Sequence, residues 1–338
     1  MQYPSEPIVH FTLMSVLAAL EECGCLDEIK KNRNGVTVKE LSQRLSLDSS
    51  VLIELLNFIT INCPAMLGKN KDCYYVGPLL SNPKFKNDFY FFLAYKPVLF
   101  SLTPLLKKEL VYGRDLQRKG EYLYRSGVLY NAPAYEAVLD ILGDIEFDIV
   151  IDLGCGRGDF LIQMHQRFPA KKGLGIEIDK NVVTISHETI LSEGLDKSVK
   201  IIEGDAKNPE VWRHNLGQIP PSRCVFVGIT LWHEFLFKGV DVLYDILKQY
   251  RLYFPRSTFI VVEYNGFSAD GLLTLPFNRR GMASLYQMVH PLTNQGTPLS
   301  VPAWRDIFHT SGVAITNTAP AGINSTMYVG TLMPLKAD

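Results

Sequence analysis

The sequence has no excess of either charge: 34 Lys and Arg stand against 35 Asp and Glu in 338 residues, a net charge of −1. No field of one sign is available to recruit a polyanion, which argues against tRNA, rRNA or other nucleic acid as partner. Long apolar runs are missing as well, and no stretch reaches the roughly 18 uncharged apolar residues of a membrane-spanning helix. The start, Met1-Gln2-Tyr3-Pro4-Ser5-Glu6, has no basic segment leading into an apolar one, the pattern of a secretory signal. Cysteine is sparse: six residues, at 23, 25, 63, 73, 155 and 224, with no C-x-x-C spacing and mostly inside apolar runs. Free, buried thiols are expected rather than a disulfide framework or a thiolate metal site. Together these absences lead to the expectation of a cytoplasmic protein with no membrane partner.

The length suggests about two domains. Residues 1–80 read as a small helical domain ending in a hairpin. Leu13, Val16, Leu17 and Leu20 share helical spacing before a break at Gly24. Thr37-Val38-Lys39-Glu40 fits a capping box, and a further helix starting near Asp48 carries Leu52, Leu55, Leu56 and Ile59. The segment from Met66 to Val76 predicts two strands around a polar turn. Helix-turn-helix plus wing raises DNA binding, but the helix Ser49 to Ile59 has neither Lys nor Arg to reach phosphates. Its apolar surface suits protein contact and a two-fold interface instead. Residues 81–146 read as a helical connector rich in Phe and Tyr.

The most informative stretch is Asp152-Leu153-Gly154-Cys155-Gly156-Arg157-Gly158, directly after the apolar run Phe147-Asp148-Ile149-Val150-Ile151. A strand that runs into glycines at every second position makes a tight turn that a ligand can approach closely. The dinucleotide fingerprint G-x-G-x-x-G has a different spacing. Two more apolar strands end in acidic residues, Glu177 and Asp205. This set resembles the class I S-adenosylmethionine methyltransferases, and the resemblance covers most of the chain. It implies an α/β fold, a Rossmann-like seven-stranded methyltransferase domain over 147–338, preceded by an α-helical winged-helix domain. It also implies S-adenosyl-L-methionine as cofactor, held by Asp152, Gly154, Gly156 and Gly158, with Glu177 on the ribose hydroxyls and Asp205 and Ala206 at the adenine. The winged helix, similar to the front domain of small-molecule O-methyltransferases, implies a homodimer. The tail, with a helix from Pro302 to Gly312 and strands at Val313–Thr318 and Met327–Met333, is similar to the last helix and hairpin of the methyltransferase sheet.

After the fourth strand, Arg223 to Ile229, comes Leu231-Trp232-His233-Glu234-Phe235. It is not the Asn-Pro-Pro-Tyr-like segment of amine methyltransferases. It is similar to the His-Asp-Trp segment of O-methyltransferases, in which the histidine takes a hydroxyl proton, and His233 has a suitable intrinsic pKa for that. A lid insertion is expected at about 268–300, and it contains His290 and Gln295. Resemblance to iron-dependent C-methyltransferases of natural-product pathways implies His233 and His290 as metal ligands, with Glu234 or Gln295 completing the set. Iron or another divalent or ferric ion would then stabilise the enolate of a 2-oxo acid or a carrier-bound malonyl group. That reading stands ahead of metal-free O-methylation of a phenolic or enolic hydroxyl with His233 as base. In either case the acceptor is a small molecule or is borne by an acyl carrier protein, on a free-standing enzyme or a larger synthase. Arg279 and Arg280 read first as capping or flanking the lid helix, with attraction of a carboxylate or phosphate on the acceptor as the alternative. A third reading, a cofactor-sensing regulator with an idle methyltransferase domain, is disfavoured by the helix that lacks basic residues.

Overall fold

The computed structural model describes residues 6–322 and 324–335. The expectation about the first five residues lies outside them. By its contacts the chain divides into two units, one reaching to Ala94 with Arg125–Leu129 added, the other comprising Tyr95–Tyr124 and the chain from Tyr130 onward. The boundary expected near residue 80 falls inside the first unit.

The first unit begins with α1 (Glu6–Glu22) and α2 (Cys25–Lys31), separated by Gly24 in the left-handed region at φ 77°. Next come β1 (Val36–Thr37), α3 (Val38–Leu45), α4 (Ser49–Asn62), β2 (Leu67–Asn70) and β3 (Cys73–Val76). The capping box is present: Thr37 accepts from the Glu40 amide, and the Glu40 carboxylate accepts from the Thr37 amide at 2.8 Å. Asp48 caps α4 by accepting from the amides of Ser50 and Val51. The wing has one more strand than expected, because Val36 and Thr37 pair antiparallel with Tyr74 and Cys73. Two residues are too short a run to show a period in sequence.

Residues 81–146 are helical for much of their length. After α5 (Pro78–Ser81) they contain α6 (Pro83–Leu99), α7 (Leu102–Leu106) and α8 (Gly120–Gly143). Among the described residues no single helix is long and apolar enough to cross a membrane.

The second unit is built on β4 (Ile149–Leu153), β5 (Lys172–Glu177), β6 (Val199–Glu203), β7 (Cys224–Ile229), β8 (Thr258–Tyr264), β9 (Val313–Pro320) and β10 (Ser325–Leu332). They form one seven-stranded sheet in the order β6-β5-β4-β7-β8-β10-β9. The first five of that order are parallel, and β10 runs antiparallel between β8 and β9. The helices between them are α9 (Asp159–Arg167), α10 (Lys180–Ser192), α11 (Pro209–Trp212), α12 (Val240–Tyr253), α13 (Ala269–Thr274), α14 (Phe277–Leu292) and α15 (Val301–Thr310).

Both faces of the sheet are covered, so its strands read as apolar runs rather than alternating ones. In β7, Cys224 and Phe226 join a core of Trp212, Tyr250, Phe254, Phe259 and Trp304, while Val225 and Val227 join the opposite core of Phe160, Leu161, Ile260 and Met327. Each fully buried large side chain contributes roughly 1.5–3 kcal/mol. Chain order departs in both directions from β4: β5 and β6 lie on one side, β7 and β8 on the other. The turns after β4 and β7 therefore flank a topological switch point, where open α/β sheets bind ligands.

Candidate active site

The turn after β4 has all three alternate glycines in the left-handed region, at φ 71°, 53° and 83° for Gly154, Gly156 and Gly158. Side chains other than glycine reach that region only with strain, so the spacing reflects backbone shape. The amides of Gly154 and Cys155 donate to the Ile176 carbonyl at 2.8 and 3.2 Å, seating the turn against β5. Ser186 of α10 donates to the Gly156 carbonyl at 2.8 Å from the other side.

Around this turn the acidic residues gather. Asp152 is 4% exposed, and its carboxyl is pushed well above the usual range by burial and then by the nearby Glu177 and Asp159 charges. Glu177 Oε2 accepts from the Gly156 amide at 3.0 Å and Oε1 from the Asp179 amide at 2.9 Å; burial raises its pKa. No protein cation pairs with Asp152 or Glu177 among the described residues. Asp205 Oδ1 accepts from the Lys207 amide at 2.9 Å, and its other oxygen lies 3.5 Å from Lys207 Nζ. The Asp205 and Ala206 carbonyls are held by Trp212 Nε1 at 3.1 Å and by the buried Tyr250 hydroxyl at 2.7 Å. The glycine cradle and the carboxyl groups at three neighbouring strand ends, two of them without a protein cation among the described residues, fit a cationic, ribose-bearing ligand such as S-adenosylmethionine.

The turn after β7 is held from β8. The Glu263 carboxylate, 0% exposed, accepts from the Trp232 amide at 2.6 Å, from the His233 amide at 3.3 Å and from His233 Nδ1 at 2.7 Å. Thr230 enters this turn at φ 54°, a strained value for a β-branched residue. Burial by itself would lower the His233 pKa, but the Glu263 charge and hydrogen bond, helped by Glu234, outweigh it and raise it.

Residues 268–300, expected as a lid, hold α13 and α14, and α14 brings His290 beside His233, their ring centroids 4.8 Å apart and the rings inclined at 65°. His290 Nδ1 donates to the Tyr286 carbonyl at 2.5 Å, and burial next to His233 lowers its pKa to about 3. The Tyr286 ring lies 4.4 Å from those of His290 and Tyr264. Each histidine thus has its Nδ1 committed within the protein, and its Nε2 has no hydrogen-bond partner among the described residues.

Glu234 and Gln295 meet each other rather than the imidazoles. Glu234 Oε1 accepts from Arg118 Nη2 at 3.0 Å and from Gln295 Nε2, and the Gln295 carbonyl accepts from Thr293 Oγ1 at 2.9 Å. Both polar ends of Gln295 are therefore spent, against the expectation that it completes a metal site. Among the described residues no group of three or more His, Cys, Asp or Glu is placed to hold a metal ion. Two imidazoles remain, a donor set too small for an all-protein site. Arg279 and Arg280 hold neutral oxygens, of Asn324 and of Leu273 and Leu275.

Glu263, Arg118 and Tyr286 were not singled out from sequence. Glu263 had a signal: it stands at the carboxyl end of an apolar parallel strand, the same register logic that pointed to Glu177 and Asp205. The other two come from helical and loop segments whose convergence has no local signature.

Comparison with known proteins agrees with this architecture. Residues 147–218 match the methyltransferase family Methyltransf_4. Methyltransferase ungE' of Aspergillus campestris is 28% identical over 128 residues, a match spanning 38% of this chain and 35% of that protein. Among solved structures, PigF with SAH superposes with a TM-score of 0.68 at 15% identity, covering 96% of this chain and 97% of that one. The mitomycin 7-O-methyltransferase MmcR gives 0.64 at 16% identity over 95% and 94%. Neither the match of residues 147–218 nor these fold relatives point to the iron-dependent C-methyltransferases. Residues 147–218 thus match a methyltransferase family, and the chain as a whole has the fold of these solved O-methyltransferase-like structures.

Proposed function

We propose that the protein methylates a hydroxyl oxygen, phenolic or enolic, of a small molecule in natural-product biosynthesis, with His233 as general base. The observation that carries this reading is the buried His233–Glu263 pair at the turn after β7, beside the glycine turn after β4. Bound S-adenosylmethionine supplies an electrophilic methyl group on a sulfonium. Asp152 and Glu177 place negative charge where that cation and its ribose need partners. Glu263 takes the Nδ1 proton of His233 in a hydrogen bond, which leaves Nε2 as the proton acceptor. That nitrogen takes the acceptor's O–H proton as the oxygen–carbon bond forms and the sulfur–carbon bond breaks. Orientation supplies much of the rate, roughly 7–11 kcal/mol where reactants are held in line. Tyr286, Tyr264 and the neutral His290 give the site the aromatic walls that a planar acceptor favours.

This ordering reverses the one drawn from sequence. Metal-assisted C-methylation is favoured by one observation, the two facing imidazoles with free Nε2 atoms. It lacks a third protein donor, and the fold relatives reported above include a named O-methyltransferase. The deciding experiment incubates the purified protein with S-adenosylmethionine and either hydroxyarenes or 2-oxo acids, then locates the new methyl group by NMR. An O-methyl product that disappears with His233→Ala is expected. A C-methyl product abolished by chelators overturns the reading.

A further inference from the structure

Behind the two imidazoles, three segments far apart in sequence are tied together by the residues that follow α14. The single proton of the Thr293 hydroxyl is shared between the Val289 carbonyl and Gln295 Oε1, each 2.9 Å from Oγ1, closing the helix end. Asn294, at φ 52°, donates to the Tyr112 carbonyl at 3.1 Å. Gln295 donates to Glu234, next to His233, and Arg118 completes that carboxylate's partners at 3.0 Å. Gly296 then lies against the His233 turn so closely that a Cβ on it would overlap the His233 carbonyl oxygen and Leu236 Cβ. Gly296 is not in the left-handed region, so the neighbouring chain and not its own torsions excludes a side chain. Two residues on, the Pro298 carbonyl occupies the place of a Cβ on Gly266, and the Gly266 amide donates to Leu299 at 2.9 Å. Gln295, Gly296 and Pro298 are all buried.

The same short strap thus ends the helix that carries His290 and grips the turn that carries His233. We propose that residues 293–298 set the separation and angle of the two imidazoles, with Gln295 and Gly296 as positioning residues that act through the His233 turn. An amide is required at 295 because it donates to a carboxylate with one end and accepts from Thr293 with the other. A carboxylate there would face Glu234 with like charge. The proposal rests on the reading of His233 as base, since a displacement of about 1 Å at a reacting group can cost on the order of 100-fold in rate.

The test uses the full chain with Gln295→Met, which keeps the bulk and removes both hydrogen bonds. Expected are a kcat lowered at least tenfold, an S-adenosylmethionine Kd within twofold of the parent, and displaced imidazole C–H signals of both histidines in NMR spectra. A folded variant whose imidazole signals match the parent overturns the proposal whatever its activity. A loss of kcat matched by an equal loss of cofactor affinity overturns it too, since that marks general loosening. Should Gln295→Met not fold, Gln295→Asn, which keeps an amide but shortens its reach to Glu234, is judged by the same criteria. If His233→Ala keeps the parental kcat, the base assignment fails by itself, and the strap stands or falls on the NMR signals.

Discussion

Glu263 Oε2 lies 2.7 Å from His233 Nδ1, with both residues almost wholly removed from solvent. The pair has opposite ends to its usefulness: the carboxylate fixes the tautomer, and it also makes the imidazole hold its proton more tightly. A base with a raised pKa is idle at low pH and gains as pH rises through that value. Activity of the parent should therefore climb through a pH above the ordinary histidine value near 6.5. Glu263→Gln removes the charge and leaves the burial, so the rising limb should move to lower pH while the plateau falls. General-base contributions are on the order of 10²–10⁴-fold, which bounds the loss for His233→Ala. A pH–rate profile of Glu263→Gln with an unmoved limb would contradict the pairing.

Asp152 makes a second prediction from the opposite sign. Its pKa is raised by burial and by neighbouring carboxylates, with no cation to offset them. A sulfonium cofactor supplies that cation, so binding should favour the ionised carboxylate and release protons to buffer. Calorimetric titration in two buffers of different ionisation enthalpy reads the release directly. Asp152→Asn should abolish the buffer dependence and weaken binding. Equal apparent enthalpies for the parent in both buffers would show that the carboxyl is already ionised.

The legible and illegible parts of this chain divide by sequence separation. The Thr37–Glu40 box spans four residues and Asp48 caps the helix that starts beside it, so both could be read locally. Gly154, Gly156 and Gly158 could be read because their positive φ values leave a trace in residue type. The proposed catalytic end depends on contacts of another kind. Glu263 meets His233 across 30 residues, Gln295 meets Glu234 across 61, and Arg118 meets Glu234 across 116. Each of these residues has an ordinary local context, and only the parallel register of β7 with β8 and the return of the chain after α14 bring them together. Gln295 illustrates the limit: the resemblance to iron-dependent C-methyltransferases offered it, or Glu234, as a ligand, whereas its two amide ends meet Glu234 and Thr293.

Gly228 in β7 offers a packing test of the same turn. A Cβ there would overlap Nε1 of Trp232, a fully buried ring that stacks edge-on against Phe259 at 5.0 Å. Gly228→Ala should displace that ring and, with it, the backbone amide that donates to Glu263. Overpacking of this kind costs about 1–3 kcal/mol. The measurement is a denaturant midpoint beside a cofactor titration, with stability expected to drop and cofactor affinity to change little. An unchanged midpoint would mean that the ring relaxes freely.

His290 gives a prediction about acid stability, because its pKa falls to about 3 in the folded protein, through burial and then the neighbouring His233. Above the ordinary histidine value near 6.5, the group is neutral in both folded and unfolded chains and contributes no slope. Between that value and about 3 the unfolded chain binds a proton that the folded chain refuses, so stability falls as pH falls. One such group contributes a slope of at most about 1.4 kcal/mol per pH unit. His290→Gln removes the titrating ring while keeping a polar side chain. Denaturant unfolding at pH 7, 6 and 5 should therefore show a steeper decline for the parent than for the variant. Parallel declines would mean that the folded site accepts the proton, as an imidazole open to water would, and the neutral wall assigned to His290 would have to be withdrawn.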